Sequence, residues 1–304
     1  MLILTHIGHN LPSYINDFII QFRKFNPNYT TVFLVNKSNC ENPIFLENNI
    51  KTYPIEELIS ERINSFLNQY QHGNINSIHN HVEYGSSDYW CVTSVRLFFI
   101  YEYCKKFQIN DFFHFENDIL IYEDLNKIKN IIFENNLYKN KIAITRGTNN
   151  KIMTGFMYVD DVLVLDNLLS EISSYITNGD NLFNYGIDMV NEMALIHIYQ
   201  IKNTEKMSNL PILPYGDLSE NYDYFSSIFD PATFGQYLDG TPGNPGFSII
   251  TESYIGDEIR KDPSFKIIFK KINNLNVPFL SYDDKLIKIN NLHIHSKRLN
   301  LFLS

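Results

Sequence analysis

The sequence predicts an α/β fold: a mixed, mainly parallel central sheet flanked by helices, in a single domain with a loop-rich C-terminal extension. Short β-rich runs alternate with amphipathic segments through the first half of the chain, which is the pattern of strands joined by crossover helices. The run FFHF at Phe112–Phe115 is bulky at every position instead of alternating, which marks a strand covered on both faces. No repeat or linker divides the 304 residues, a length that α/β folds reach around one continuous core.

Each element follows from local pattern. Leu2–Ile7 and Thr31–Val35 read as strands, and Tyr14–Phe25 between them carries apolar residues at helical spacing. A strand near Ile50–Tyr53 and a helix over Ile55–Gln69 extend the alternation. The polar stretch at Gly73–Ser87, with His72, His79 and His81, reads as a surface loop leading to a helix N-cap at Ser87 or Asp88. From Tyr89 to Cys104 the sequence is apolar nearly all round a helix, so that helix should be buried. Its charges, Arg96 and Glu102, stand about 240° apart around the axis and cannot pair with one another. Arg96 therefore needs either a core carboxylate or a bound phosphate.

Beyond FFHF the sequence turns polar at Glu116-Asn117-Asp118, apolar again at Ile119–Tyr122, and then opens a helix at Glu123 or Asp124. Strands are expected at Lys141–Thr145 and Gly155–Val159, and helices at Val162–Ile176 and Gly186–Gln200. Asp217–Gly246 reads as a long ordered loop, and Leu286–His295 as a closing strand.

Composition excludes several classes of function. Hydrophobic residues make up 44%, with 23 Phe and 20 Tyr, so the chain can bury a core unaided. A net charge of −9 argues against nucleic acid as a partner, because neutralising phosphate backbones needs a basic face. An anionic substrate would need a metal cation or a few local bases. Cys40, Cys91 and Cys104 lack metal-site spacing, which points to a reducing compartment without structural zinc. With no basic N-terminal region and no membrane-length apolar stretch, a cytoplasmic location is expected.

The chemistry concentrates where a buried strand ends. Open α/β sheets bind ligands at the carboxyl ends of their strands, and there Glu116 and Asp118 appear. In extended backbone the two project to one side and could hold Mg²⁺ or Mn²⁺, which would bridge a diphosphate. His293, His295 and Lys297 alternate in NLHIHSK, so on a strand all three face one surface, where an imidazole could join the metal and the lysine meet a phosphate. His114, inside FFHF, reads as a satisfied core histidine. Asp188 and Glu192 share a face of the Gly186–Gln200 helix, and either could be a base that deprotonates an acceptor hydroxyl.

With these residues assembled, the chain resembles the GT-A nucleotide-sugar glycosyltransferases, particularly those like glycosyltransferase family 8. There an Arg-bearing helix precedes a buried strand ending in D-x-D; here SVRLFFIYEYCKKF precedes FFHFENDILIYEDL, with Glu116 and Asp118 at the acidic positions. TGFMYVDD resembles the small-residue strand beneath the donor sugar, at Gly155, and IDMVNEMAL the helix carrying the acceptor-side acid. NLHIHSK looks like the element that closes on metal and diphosphate. IFDPATFGQYLDGTPGNPG is similar to a loop of poorly characterised bacterial and giant-virus relatives. Two departures stand out: Glu replaces the first Asp, and the C-terminal element lacks the Gly and Lys-Pro-Trp context.

The resemblance implies a nucleotide-binding half at residues 1–122 and an acceptor-side half with a closing element at 123–304. It implies a nucleoside-diphosphate sugar, UDP-linked as the family guess, with Thr5, His6, Gly8, Asn36, Arg96, Asn117, Gly155 and Lys297 at the donor. The metal set would be Glu116, Asp118, His293 and His295. The product would carry a transferred hexose or N-acetylhexosamine on a glycan or other hydroxyl acceptor, with inversion or retention left open. Two rivals share these parts: a noncatalytic nucleotide- or carbohydrate-binding module, and a sugar nucleotidyltransferase. The latter lacks a Gly-rich, Lys-bearing loop near the N-terminus.

Overall fold

The computed structural model describes residues 1–72, 89–148, 151–178, 185, 191–216, 219–241, 243–246, 266–282 and 284–304. Chain order is β1 (Leu2–His6), α1 (Tyr14–Phe25), β2 (Thr31–Val35), α2 (Pro43–Glu47), β3 (Lys51–Pro54), α3 (Glu61–His72), α4 (Tyr89–Phe107), β4 (Phe112–Phe115) and β5 (Ile119–Ile121). There follow α5 (Leu125–Glu134), β6 (Ile142–Thr148), β7 (Lys151–Val159), α6 (Val162–Asn178), α7 (Glu192–Lys202) and β8 (Met207–Asn209).

Strands β3-β2-β1-β4-β7-β6-β8 form one seven-stranded sheet. Its pairings are parallel except that β7 runs against both of its neighbours. The sheet therefore draws strands from both sides of residue 122. Period-two side-chain alternation sorts the strands between two cores. Leu2, Leu4, Phe33, Val35, Phe113 and Phe115 face α1 and α5. Ile3, Val32, Leu34 and Phe112 face the other way, onto the layer that contains α3, α4 and α6. With cover on both faces, β4 is buried at every position. Each phenylalanine so buried stabilises the fold by roughly 2–3 kcal/mol through apolar area removed from water.

α4 packs between β1 and the helices α3, α6 and α7, which is why a helix apolar nearly all round is stable there. Glu102, as expected, does not meet Arg96; it accepts from the Ser60 hydroxyl at 2.7 Å. α5 is capped by Asp124, whose carboxylate accepts from the Asn126 N–H at 2.8 Å. The Ile55–Gln69 segment is broken: a 3₁₀ turn at Ile55–Leu58 precedes α3. The expected N-cap at Ser87 or Asp88, and the loop with His79 and His81, lie outside the described residues.

Two expectations for the C-terminal region are corrected. Asp217–Gly246 is not a loop throughout; it contains α8 (Tyr222–Phe225), β9 (Ser227–Ile228), α9 (Phe234–Asp239) and a hairpin of β10 (Gly240–Thr241) with β11 (Asn244–Pro245). These elements are too short for periodicity to register. Leu286–His295 is not one strand. β14 (Lys285–Ile289) joins β12 (Lys266–Ile272), β13 (Leu275–Tyr282) and β9 in a four-stranded sheet, whereas β15 (Asn291–His293) pairs antiparallel with β5. The chain changes sheets at Asn290, whose N–H donates to Ile228 O and whose carbonyl accepts from Tyr122 N, each at 2.8 Å. Among the described residues no helix is long and apolar enough to cross a membrane.

α9 lies flush on β15. A Cβ at Gly235 would overlap the backbone carbonyl of His293, which has no flexible end to move aside. Gly235→Ala is expected to destabilise the protein by about 2 kcal/mol or more, lowering the melting temperature by roughly 5 °C in a thermal-unfolding scan.

Candidate active site

The carboxyl ends of β1 and β4, the N-terminal turns of α4 and α7, and the chain after β15 surround a cavity of about 350 Å³. Thr5, His6, Arg96, Glu116, Asn117, Asp118, Gly155, Glu192, His293, His295 and Lys297 all line it. Gly8 and Asn36 do not. They shape it from behind: the Gly8 N–H donates to Asn36 Oδ1 at 2.7 Å, and Asn36 Nδ2 donates to Glu56 at 3.0 Å. Asn117 likewise turns back, donating from Nδ2 to Thr5 O at 3.0 Å and so fixing the end of β1. His114 is a core residue, with Nδ1 2.9 Å from Ile3 O and its pKa pushed by burial down to about 3.

Glu116 and Asp118 converge, but through a turn and not along a strand. β4 ends at Phe115, and Ile119 N–H donates to Glu116 O at 3.2 Å, so the chain reverses between the two acids. β5 then pairs with β15 in a register that sets His293 opposite Ile119. This pairing delivers the imidazole: His293 Nε2 lies 3.1 Å from Asp118 Oδ2 and 3.2 Å from Glu116 Oε2. Lys297 reaches Asp118 Oδ2 from the next turn. That turn holds Lys297 at φ 64°, a left-handed conformation that costs an L-residue roughly 1 kcal/mol or more. The His295 ring lies tilted beside that of His293, with centroids 4.3 Å apart, outside the group formed by Glu116, Asp118 and His293.

Arg96 finds a carboxylate, resolving the choice left open by the sequence. Its guanidinium pairs with Glu116 Oε1, donates to Thr154 Oγ1 at 2.6 Å, and lies 3.7 Å from Glu192 Oε1. Glu192 is the first residue of α7, which Asn191 caps through Oδ1 to Ala194 N at 2.9 Å. Residues 186–190 of the expected helix lie outside the described residues. Asp188 lies outside the described residues.

The charges are mutually dependent. Burial pushes the Glu116 carboxyl up, but Arg96 and then His293 outweigh it and hold the group well below the carboxylate range. Asp118 is likewise pushed up by burial and pulled down further by His293 and Lys297. Burial alone would favour neutral His293, yet Asp118 and then Glu116 raise its pKa to about 10. Glu192 goes the other way: burial raises its carboxyl, and Arg96 only partly offsets it. Two acids are therefore held ionised while a third, nearby, takes up a proton more readily, the division of labour that acid–base chemistry needs.

One oxygen each from Glu116 and Asp118 and a nitrogen from His293 lie within 4.8 Å of one another. Two ionised carboxylates with one imidazole make a predominantly hard donor set that fits Mn²⁺ or Mg²⁺. An ion bound there would take the place of the imidazolium proton.

Pattern reading missed Tyr14, Trp90, Thr93 and Thr154, all of which line the cavity. Tyr14 sits by Lys297, whose Nζ is 5.8 Å from the ring centroid. It also missed Asp230, a buried carboxylate that accepts four backbone N–H bonds, from Thr233, Phe234, Gly235 and His293, at 2.6–2.9 Å. The signal for Asp230 was its position four residues before Phe234, as a cap for α9.

Gly155 touches the ligand set from below: a Cβ there would stand 2.7 Å from His293 Nδ1. Gly155→Ala is expected to displace the imidazole and weaken Mn²⁺ binding about tenfold or more, read by isothermal titration. The melting temperature of the metal-free protein should change little by comparison.

No family model matches the sequence, and no curated protein matches it. Solved structures do. Mouse xyloside xylosyltransferase 1 in its apo form superposes with a TM-score of 0.50 at 12% identity, over 69% of this chain and 84% of that one. The galactosyltransferase LgtC with donor and acceptor sugar analogues gives 0.40 at 10% identity, over 69% and 73% of the two chains. A cytidylyltransferase from Leptospira borgpetersenii serovar Hardjo-bovis gives 0.39 at 10% identity, over 72% and 77%. The last two overlap too loosely to bear on the fold. The first, together with the seven-stranded sheet and its single reversed strand, shows that the chain has the GT-A glycosyltransferase fold.

Proposed function

We propose that the protein is a glycosyltransferase that moves a sugar from a nucleoside-diphosphate donor to an acceptor hydroxyl with the help of Mn²⁺ or Mg²⁺. The observation that carries this reading is the meeting of Glu116, Asp118, His293 and Lys297 at the end of β4 in a GT-A sheet. Glu116, Asp118 and His293 would hold the ion, which supplies Lewis-acid stabilisation of the departing diphosphate, a contribution of several kcal/mol. UDP is the favoured nucleotide, and a hexose or N-acetylhexosamine the favoured cargo. His295, beside His293, is the second candidate imidazole.

The chain's own groups divide the remaining work. Lys297 offers its ammonium to a diphosphate oxygen, where charge grows as the anomeric C–O bond breaks. Arg96 keeps Glu116 ionised and oriented. Thr5 and His6, braced by Gly8, Asn36 and Asn117, face the nucleotide, and Gly155 leaves room under the donor sugar. Glu192 accepts the proton from the acceptor hydroxyl in an inverting reaction, or positions that hydroxyl in a retaining one. Asp188 is the second candidate for that role. The DPATFG segment braces β15 through Asp230, which accepts from the His293 N–H at 2.8 Å.

A thermal-shift panel of nucleoside diphosphates and nucleotide sugars, with and without Mn²⁺, tests the reading. Stabilisation is expected only with metal and nucleotide together, and Asp118→Ala should abolish it; metal-dependent binding that survives Asp118→Ala refutes the assignment. Glu192→Gln should slow transfer about 100-fold at unchanged nucleotide affinity. Binding without donor hydrolysis or transfer across a broad acceptor panel identifies a noncatalytic module, and pyrophosphate release from a nucleoside triphosphate identifies a nucleotidyltransferase.

A further inference from the structure

The cavity has two chemically different ends. A chain of contacts runs through it from Lys297 to Asp118, His293, Glu116, Arg96 and Glu192. At the Glu192 end the Thr93 hydroxyl lies 2.8 Å from Glu192 Oε2 and 3.0 Å from Trp90 O, which places the start of α4 against the start of α7. Here Met153, Met193 and Ala232 form a small apolar cluster, and the partly buried Trp90 packs both against it and against the core around α3, α4 and α6. All four line the cavity. This is an apolar wall at the Glu192 end of the site.

Charge determines what such a wall can accept. The one cation among the described residues at this end is Arg96, and its guanidinium is already engaged by Glu116, Thr154 and Glu192. An anionic ligand group is better served at Lys297. Beside the wall stand the Thr93 and Thr154 hydroxyls and the Glu192 carboxylate, each held in place by a protein partner, a short rim of polar groups around an apolar surface. A ligand that fits is neutral, has one flat face of C–H groups, and carries hydroxyls around its edge. A pyranose ring is built in this way, an indole face accepts its C–H groups, and Met side chains adapt their shape around it.

We propose that Trp90, Met153, Met193 and Ala232 form the acceptor subsite, and that it takes a neutral pyranose laid on the Trp90 indole with a hydroxyl turned toward Glu192. Only the word acceptor rests on the glycosyltransferase reading; the sugar-binding surface stands on its own.

Trp90 is the only tryptophan of the chain, so its fluorescence reports on this wall alone. The full-length protein, with Mn²⁺ and UDP, is titrated with methyl glucoside, galactoside, mannoside and xyloside, and in parallel with sorbitol, uridine and a serine-containing hexapeptide. At least one pyranoside should change the indole emission saturably, while the other probes do not. Ala232→Leu fills the wall and keeps the indole; it should weaken that response about tenfold. Should Ala232→Leu fail to fold, Met193→Ala replaces it, with a smaller loss expected. The proposal is overturned if no pyranoside gives a saturable change, if uridine, sorbitol or the peptide gives one equal to it, or if the folded wall variant responds like the wild type. A pyranoside response in a protein that binds no nucleotide would keep the subsite and discard the glycosyltransferase reading.

Discussion

Two carboxylates at the end of a buried strand are the constraint around which the remainder of the molecule is arranged. Asp118 is almost fully buried and Glu116 partly so, and ionised acids in that position are tolerated only with cations beside them. The cations come from other elements of the fold. Arg96 arrives on α4, which must be long and apolar to carry a guanidinium beneath the sheet end; His293 and Lys297 arrive on a segment pinned to β5. The second sheet, the change of sheet at Asn290 and the capped turn at Asp230 all serve to bring that segment to its place.

This dependence explains what the sequence could and could not disclose. The strand FFHF, the helix of Arg96 and the order of strands and helices through residue 178 were legible because each is written in local periodicity. Arg96 was known to require a partner, since an unpaired guanidinium on an apolar helix is untenable, but the choice between a carboxylate and a phosphate is a matter of tertiary distance. The convergence of Glu116 with Asp118 was anticipated for the wrong geometric reason, as strand alternation, when a reverse turn does it. NLHIHSK was read as a strand that aims three side chains together; four residues beyond the strand's end, a left-handed conformation achieves the same for Lys297.

What stayed hidden is what no local pattern encodes. Asp230 looks like a turn residue, and only the structure shows its carboxylate capping α9 and gripping the His293 backbone at once. The small strands β9, β10 and β11 are two residues each, below the length at which alternation means anything. Trp90 opens a helix whose apolar character suggests core packing throughout, and its place on the cavity wall depends on the approach of α7 and β7 from the other half of the sheet.

The separation between Asp118 and His293 is 175 residues. During synthesis β1 to β5 emerge first and can pair locally, but the acids at the end of β4 then lack the cations that will come from the C-terminal segment. Contacts so remote in sequence close late, because the entropy of the intervening chain must be overcome before they reward the fold. A partly made chain would therefore leave Asp118 without its cations beneath a formed sheet, with Arg96 compensating Glu116 alone. The ion pairs of Asp118 with His293 and Lys297 are a final check on assembly, satisfied only when the second half of the protein has folded onto the first.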